Sequence, residues 1–72
     1  MLIGKINRGS RERLMITVEK VKGTKVIDCR VYSILQDGEL SATASGVSFP
    51  PEQVDNVIDL LKEAKKKAAE QV

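Results

Sequence analysis

VKGTKVIDCRVY, residues 21–32, reads as a tight turn feeding a half-buried strand. Lys22-Gly23-Thr24 is the turn, because Gly23 takes a positive φ without steric cost. Beyond it the side chains alternate. Ile27, Cys29 and Val31 fall on one face, and Asp28, Arg30 and Tyr32 on the other. A strand that is apolar on one side and charged on the other belongs to a sheet with one dry face and one wet face. The remaining segments are read by how they complete that sheet.

Upstream, Arg13–Val21 (RLMITVEKV) alternates Leu14, Ile16 and Val18 against Met15, Thr17 and Glu19, and it ends at the same turn. The two runs therefore make a hairpin. Gln36-Asp37-Gly38-Glu39 is a second turn, Asp-Gly between extended segments being a strong hairpin signal. Leu40–Ser48 (LSATASGVS) is expected as a further strand built of small residues, with Gly46 marking a bulge or a close approach by another chain. Met1–Ile6 can add a short strand, and Asn7-Arg8-Gly9-Ser10 is a basic loop. Phe49-Pro50-Pro51-Glu52-Gln53 starts a helix, with proline at the first helical position and an acid at the positive end of the dipole. Val54, Val57, Ile58, Leu61, Ala64 and Ala68 then form one apolar stripe, expected to cover the sheet and in part to meet a second subunit. Strands followed by one amphipathic helix make an α+β fold, read as a single domain over residues 1–72.

A chain of 72 residues is marginal as a lone core. Small domains compensate with disulfides, a metal or a second subunit. Cys29 is the only cysteine and there is no histidine, so an intrachain disulfide and a zinc site are excluded and a homo-oligomer is expected by elimination. No signal peptide and no apolar run near the ~18 residues of a membrane span is present, so a soluble cytoplasmic protein is expected. The net charge of +2 is modest but unevenly spread. Residues 1–35 carry eight cations against three acids, a net +5, and residues 36–72 carry four lysines against seven acids, a net −3.

Chemistry-bearing constellations are few. Without histidine no ordinary base activates a Ser or Thr, and no phosphate-binding glycine loop is present, so no catalytic residue, cofactor or metal site is expected. Cys29 has the parity of a core side chain. Glu52, Asp55, Asp59 and Glu63 read as a solvated helix face, and Lys65–Lys67 complement the helix C-terminal dipole. The cluster left for function is basic: Arg11, Arg13, Lys20, Lys22, Lys25 and Arg30. It can bind an anionic partner, or serve as a charged edge that prevents sheet-to-sheet aggregation.

The segment SRERLMITVEKVKGTKVIDCRVYS, then DGELSATASGVSFPPEQVDNVIDLLKEAKK, resembles the Positive Cofactor Four family, the single-stranded-DNA-binding domain of a eukaryotic transcriptional coactivator with small bacterial and phage relatives. The resemblance covers about residues 10–68. It rests on Val21-Lys22-Gly23, on Ile27-Asp28-Cys29-Arg30-Val31-Tyr32, and on Gly46-Val47-Ser48 with Pro51-Glu52-Gln53. It implies a homodimer of four-stranded curved antiparallel sheets, each followed by one long helix. The helices would help form the dimer core, and single strands or unwound duplex, of DNA or RNA, would lie on the opposite sheet faces. It further implies that Lys22 and Arg30 contact the nucleic-acid backbone, with Lys20, Lys25, Arg11 and Arg13 as basic neighbours. A nucleoid-associated location follows if the source is bacterial.

The chain departs from the family at informative places. Val21 and Ser33 stand where the coactivator has stacking aromatics, and Ser41-Ala42-Thr43-Ala44-Ser45 replaces a basic segment found in many members. Losing two platforms at ~1–3 kcal/mol per stacked base costs roughly 2–6 kcal/mol of affinity. Tyr32 and Phe49 are the remaining aromatics, and Tyr32 is open to a structural or a stacking role. Two readings result. The first is sequence-independent single-stranded nucleic-acid binding in transcription, replication or repair. The second is a protein–protein module of the same dimer fold, docking on a transcription or repair partner.

Overall fold

Two hairpin turns of different chemistry set the order of the sheet. In the computed structural model, which describes residues 1–70, the elements are β1 (Leu2–Asn7), β2 (Glu12–Val21), β3 (Thr24–Ile34), β4 (Leu40–Phe49), a 3-10 turn (Pro51–Gln53) and α1 (Val54–Glu70). The last two positions of the expected 1–72 domain lie outside the described residues. The strands form one antiparallel sheet in the order β1-β2-β3-β4, so the expected α+β architecture is the observed one.

β2 and β3 pair without interruption from Glu12↔Ser33 to Val21↔Thr24, which leaves Lys22 and Gly23 as a two-residue loop. Both have positive φ, 52° and 82°. That is the condition for the type I′ turn, whose twist matches the flanking strands. The β3–β4 connection is built differently. The Gly38 N–H donates to the Leu35 carbonyl at 2.9 Å, the Leu35 N–H donates to the Glu39 carbonyl at 2.8 Å, and Gly38 takes φ 87°. Asp37 adds a side-chain acceptor for the Glu39 N–H at 2.9 Å.

β4 is a strand along its whole length, with a bulge in the middle. Arg30 pairs with Gly46 and Tyr32 with Ala42, so three β4 residues span the position of Val31 alone. Thr43 fills the irregularity by donating its hydroxyl to the Val31 carbonyl at 2.7 Å and accepting from the Ser45 N–H at 3.1 Å. Gly46 is required by its own chain: a Cβ there would lie 2.6 Å from the Cys29 carbonyl oxygen and 2.9 Å from the Arg30 Cα.

Strand parity sorts the sheet into two faces. Ile6, Leu14, Ile16, Ile27, Cys29, Val47 and Phe49 line one face, and Val54, Val57, Ile58 and Leu61 of α1 stand across from them over an apolar groove of about 470 Å³. The expected helix stripe is therefore real, but it does not close on the sheet. No residue of α1 is buried, and Leu61 remains 64 % exposed. α1, about 26 Å long, leaves β4 through the Pro51–Gln53 turn and stands across the groove from the sheet. In a single chain Met15 and Val31 are the buried hydrophobic residues. The accessible surface is 5838 Å², against about 4,400 Å² for a monomeric protein of this mass. The radius of gyration is 14.4 Å, against about 11 Å for a compact chain of this length.

Gly46→Ala should cost about 1–3 kcal/mol, the usual range for overpacking against backbone. Urea unfolding measures it. A variant within 0.5 kcal/mol of wild type would mean that β4 shifts freely past β3.

Candidate nucleic-acid interface

The face that α1 leaves uncovered carries Arg13, Met15, Thr17 and Glu19 from β2, paired with Tyr32, Arg30, Asp28 and Val26 from β3. Lys5 joins from β1 opposite Met15, and Ser48 and Gly46 from β4 opposite Asp28 and Arg30. Its floor is mostly polar and hydrogen-bonded around Asp28, while the buried Thr17 hydroxyl has no partner among the described residues. Asp28 is buried and receives two bonds from Arg30, Nε at 3.1 Å and a terminal nitrogen at 3.0 Å. The other terminal nitrogen of Arg30 donates to the Thr43 carbonyl at 3.0 Å, and the Ser48 hydroxyl donates to Asp28. The network ties β3 to both limbs of the β4 bulge.

The carboxyl of Asp28 is held below its ordinary value, first by the hydrogen bond from Arg30, against the opposing effect of burial, and then by Ser48. Arg30 is shifted the other way by the same partner, so the pair stays ionised and mutually neutralised. On the groove side the Cys29 thiol is raised by burial, with a smaller contribution from Asp28, as befits a side chain against apolar neighbours.

The six basic residues singled out in the sequence do not form one cluster. Lys22 sits in the hairpin turn, exposed at the tip of the sheet. Lys20 and Lys25 face each other across the strands beside it, but their parity is that of Ile16, Val18 and Ile27, so they flank the groove side. Arg13 is at the far end of β2, its guanidinium turned onto the Gly9 and Glu12 carbonyls at 3.2 and 2.8 Å. Arg11 lies in the adjoining bend, where its carbonyl accepts the Ile34 N–H at 2.8 Å. Arg30 stands between the two ends with its guanidinium engaged by Asp28 and Thr43. Lys5 was missed by sequence reasoning, because nothing in β1 alone fixes the register that puts it opposite Met15.

No group of three metal-ligating side chains occurs among the described residues, and no helix among them is long and apolar enough to cross a membrane. The surface offers rim cations around a hydrogen-bonded floor, an arrangement suited to a polyanion held by its backbone.

No protein-family model matches the chain, and no curated protein sequence matches it. Among solved structures it is similar to BPSL1147, a PC4 homolog from Burkholderia pseudomallei, in two crystal forms. The orthorhombic form gives a TM-score of 0.86 at 26 % identity, over 90 % of this chain and 88 % of that one. The tetragonal form gives 0.85 at 26 % identity, over 90 % and 96 %.

Asp28 binds its proton less readily folded than unfolded, so its contribution to stability is complete above the ordinary carboxyl range and is lost as pH falls through the depressed folded value. Between pH 7 and pH 3 wild type should therefore lose more stability than Asp28→Asn. Equal losses in denaturant titrations at the two pH values would remove Asp28 from the acid response.

Proposed function

We propose that this chain, a Positive Cofactor Four-like protein, is a non-enzymatic, sequence-independent single-stranded nucleic-acid-binding homodimer that acts as a transcriptional regulator. Single-stranded DNA or unwound duplex would lie on the uncovered sheet face of each copy. Lys22 and Arg30, with Lys20, Lys25, Arg11 and Arg13, form the proposed contact set, and their positions support different duties. Lys22 and Arg11 present exposed cations at the two ends of the β2–β3 hairpin. Arg13 and Arg30 are pre-positioned by their own chain and present their remaining N–H groups from fixed places. Lys20 and Lys25 extend the positive tip toward the groove side. Lys5 joins the set from β1.

The observation that carries the reading is Lys22. Among the described residues it is the non-glycine at positive φ, in a turn position that favours Asn, Asp or Gly. A β-turn with a lysine there gives up stability, and backbone strain of this kind gathers at functional sites. A cation presented at the tip of the hairpin accounts for it.

Dimerisation is supported by what a single chain leaves uncovered. The apolar arc of α1 from Leu60 through Val57 and Leu61 to Ile58 is about 160° wide at 3.6 residues per turn. Val57, Leu61 and Ile58 of that arc face the chain's own groove, while Leu60 at its other end is 71 % exposed and faces away from it. Two neighbours are needed to cover such an arc. The surface excess noted above, about 2,800 Å² for a pair of chains, falls in the range of obligate homodimers.

Fluorescence anisotropy of a labelled oligo-dT of about twenty nucleotides, beside the matching duplex, tests the function. Tight binding that prefers the single strand and weakens with salt is expected, because cations displace condensed counterions. Lys22→Asn should raise stability by up to about 1 kcal/mol, relieving the left-handed lysine, while flattening the salt slope by about 0.7 per chain. An unchanged slope would remove Lys22 from the interface. No binding at low salt would leave the protein–protein reading in front, to be checked by a pull-down that survives nuclease.

A further inference from the structure

We infer that Tyr32 is a stacking platform for one unpaired nucleobase, so that each chain grips a base as well as the backbone. The inference rests on the nucleic-acid reading above and adds to it a contact that electrostatics cannot supply.

The chain has two aromatic residues of this kind, Tyr32 and Phe49. Phe49 is opposite Ile27 and lines the groove, so it is committed to the α1 side. Tyr32 has the opposite parity. It lies on β3 between Arg13 of β2 and Ala42 of β4, on the same face as Asp28 and Arg30. Ala42 is the consequential neighbour, because a methyl group cannot cover a phenol ring. A residue of ordinary size there would screen the ring from that side. The ring is half-buried, which fixes its orientation without hiding it.

A structural tyrosine usually finds a partner for its hydroxyl when it is buried. Among the described residues the polar side chains around it are bonded elsewhere: Arg13 to Gly9 and Glu12, Arg30 to Asp28 and Thr43, and the Thr43 hydroxyl to Val31. The phenol hydroxyl has no bond there. Tyr32 is therefore held at its base by the sheet and uncommitted at its tip. Arg11 and Arg13 mark the same end of the sheet, and the Ile34 N–H to Arg11 carbonyl bond fixes that bend two residues beyond Tyr32. Lys22 lies in the turn beyond Thr24, which is eight strand positions from Tyr32, about 26 Å along β3. A strand that reaches from Lys22 to Arg11 thus crosses Tyr32, within the roughly 4–16 nucleotides common for sheet-borne single-strand sites.

Val21 shares the uncovered face, but Ser33 has groove-side parity, opposite Glu12 and Ser41. On the uncovered face Tyr32 is therefore the aromatic side chain, Val21 being aliphatic. Since every base has a π-face, the contact is tolerant of sequence and adds affinity without readout.

Tyr32 is the sole tyrosine and the chain has no tryptophan, so its emission reports this one ring. Titration with oligo-dT should quench that emission with the midpoint seen by anisotropy, whereas an abasic strand of equal length should bind more weakly and quench little. Tyr32→Phe should hold dT affinity within about twofold, and Tyr32→Leu should lower it at least about fivefold while leaving abasic binding unchanged. If Tyr32→Leu fails to fold, the quenching and the dT-to-abasic ratio of wild type decide. Binding of dT with unchanged emission overturns the stacking role and leaves the nucleic-acid reading standing. Absence of any binding by wild type at low salt overturns both.

Discussion

An apolar groove of about 470 Å³ between one sheet face and α1 is the constraint on which the rest of this structure depends. Its walls are the residues that in a larger protein would be the core: Leu14, Ile16, Ile27 and Phe49 on the sheet, and Val54, Ile58 and Leu61 on the helix. Hydrophobic burial is the main favourable term in folding, at roughly 25 cal/mol per Å². A chain that leaves these walls apart has used only part of it. The physical requirement is an apolar surface that enters between sheet and helix, and the broad arc of α1 is itself such a surface.

Committing one face to that closure leaves the other face to solvent and, on the proposed reading, to the nucleic acid. There the polar groups around Asp28 are bonded to one another, and the buried Thr17 hydroxyl beside them is left without a partner among the described residues. Asp28, Arg30, Ser48 and the Thr43 carbonyl bond to one another, which fixes the β4 bulge over β3 and turns a would-be free arginine into part of the floor. The bulge in turn demands Gly46, because β4 passes within contact distance of the Cys29 and Arg30 backbone. Mobile positive charge is left to the rim, at Lys22 and Arg11, where desolvation is least costly. The face thus separates rigid positioning at its centre from screened attraction at its edges.

Much of this was legible in the chain. Alternation in Arg13–Val21 and Val26–Tyr32 gave both strands and the hairpin, and proline placement with the Val54–Leu61 spacing gave the helix. Parity correctly put Cys29 on the dry side and Arg30 with Tyr32 on the wet side. What was hidden depends on pairing between strands. Lys20 and Lys25 lie opposite each other because the loop between their strands has two residues, which the sequence Lys22-Gly23-Thr24 left ambiguous. Arg30 reads as a free cation in the sequence although Asp28 shares its face; the Thr43 carbonyl and the Ser48 hydroxyl that complete the network come from β4 and appear only once it pairs. Gly46 signalled a close approach, yet the approaching backbone is the chain's own β3. The stand-off of α1 has no sequence signal at all, since an apolar stripe looks the same whether it meets its own sheet or another copy.

Sedimentation equilibrium at low micromolar concentration tests the central claim that a second copy completes the core. The account predicts a single species at twice the 7.9 kDa chain mass, holding as the protein is diluted until folding is lost with it. A 7.9 kDa species that still unfolds cooperatively would contradict it. Such a result would show that one chain closes its own groove, and that the uncovered helix arc serves something other than a partner copy.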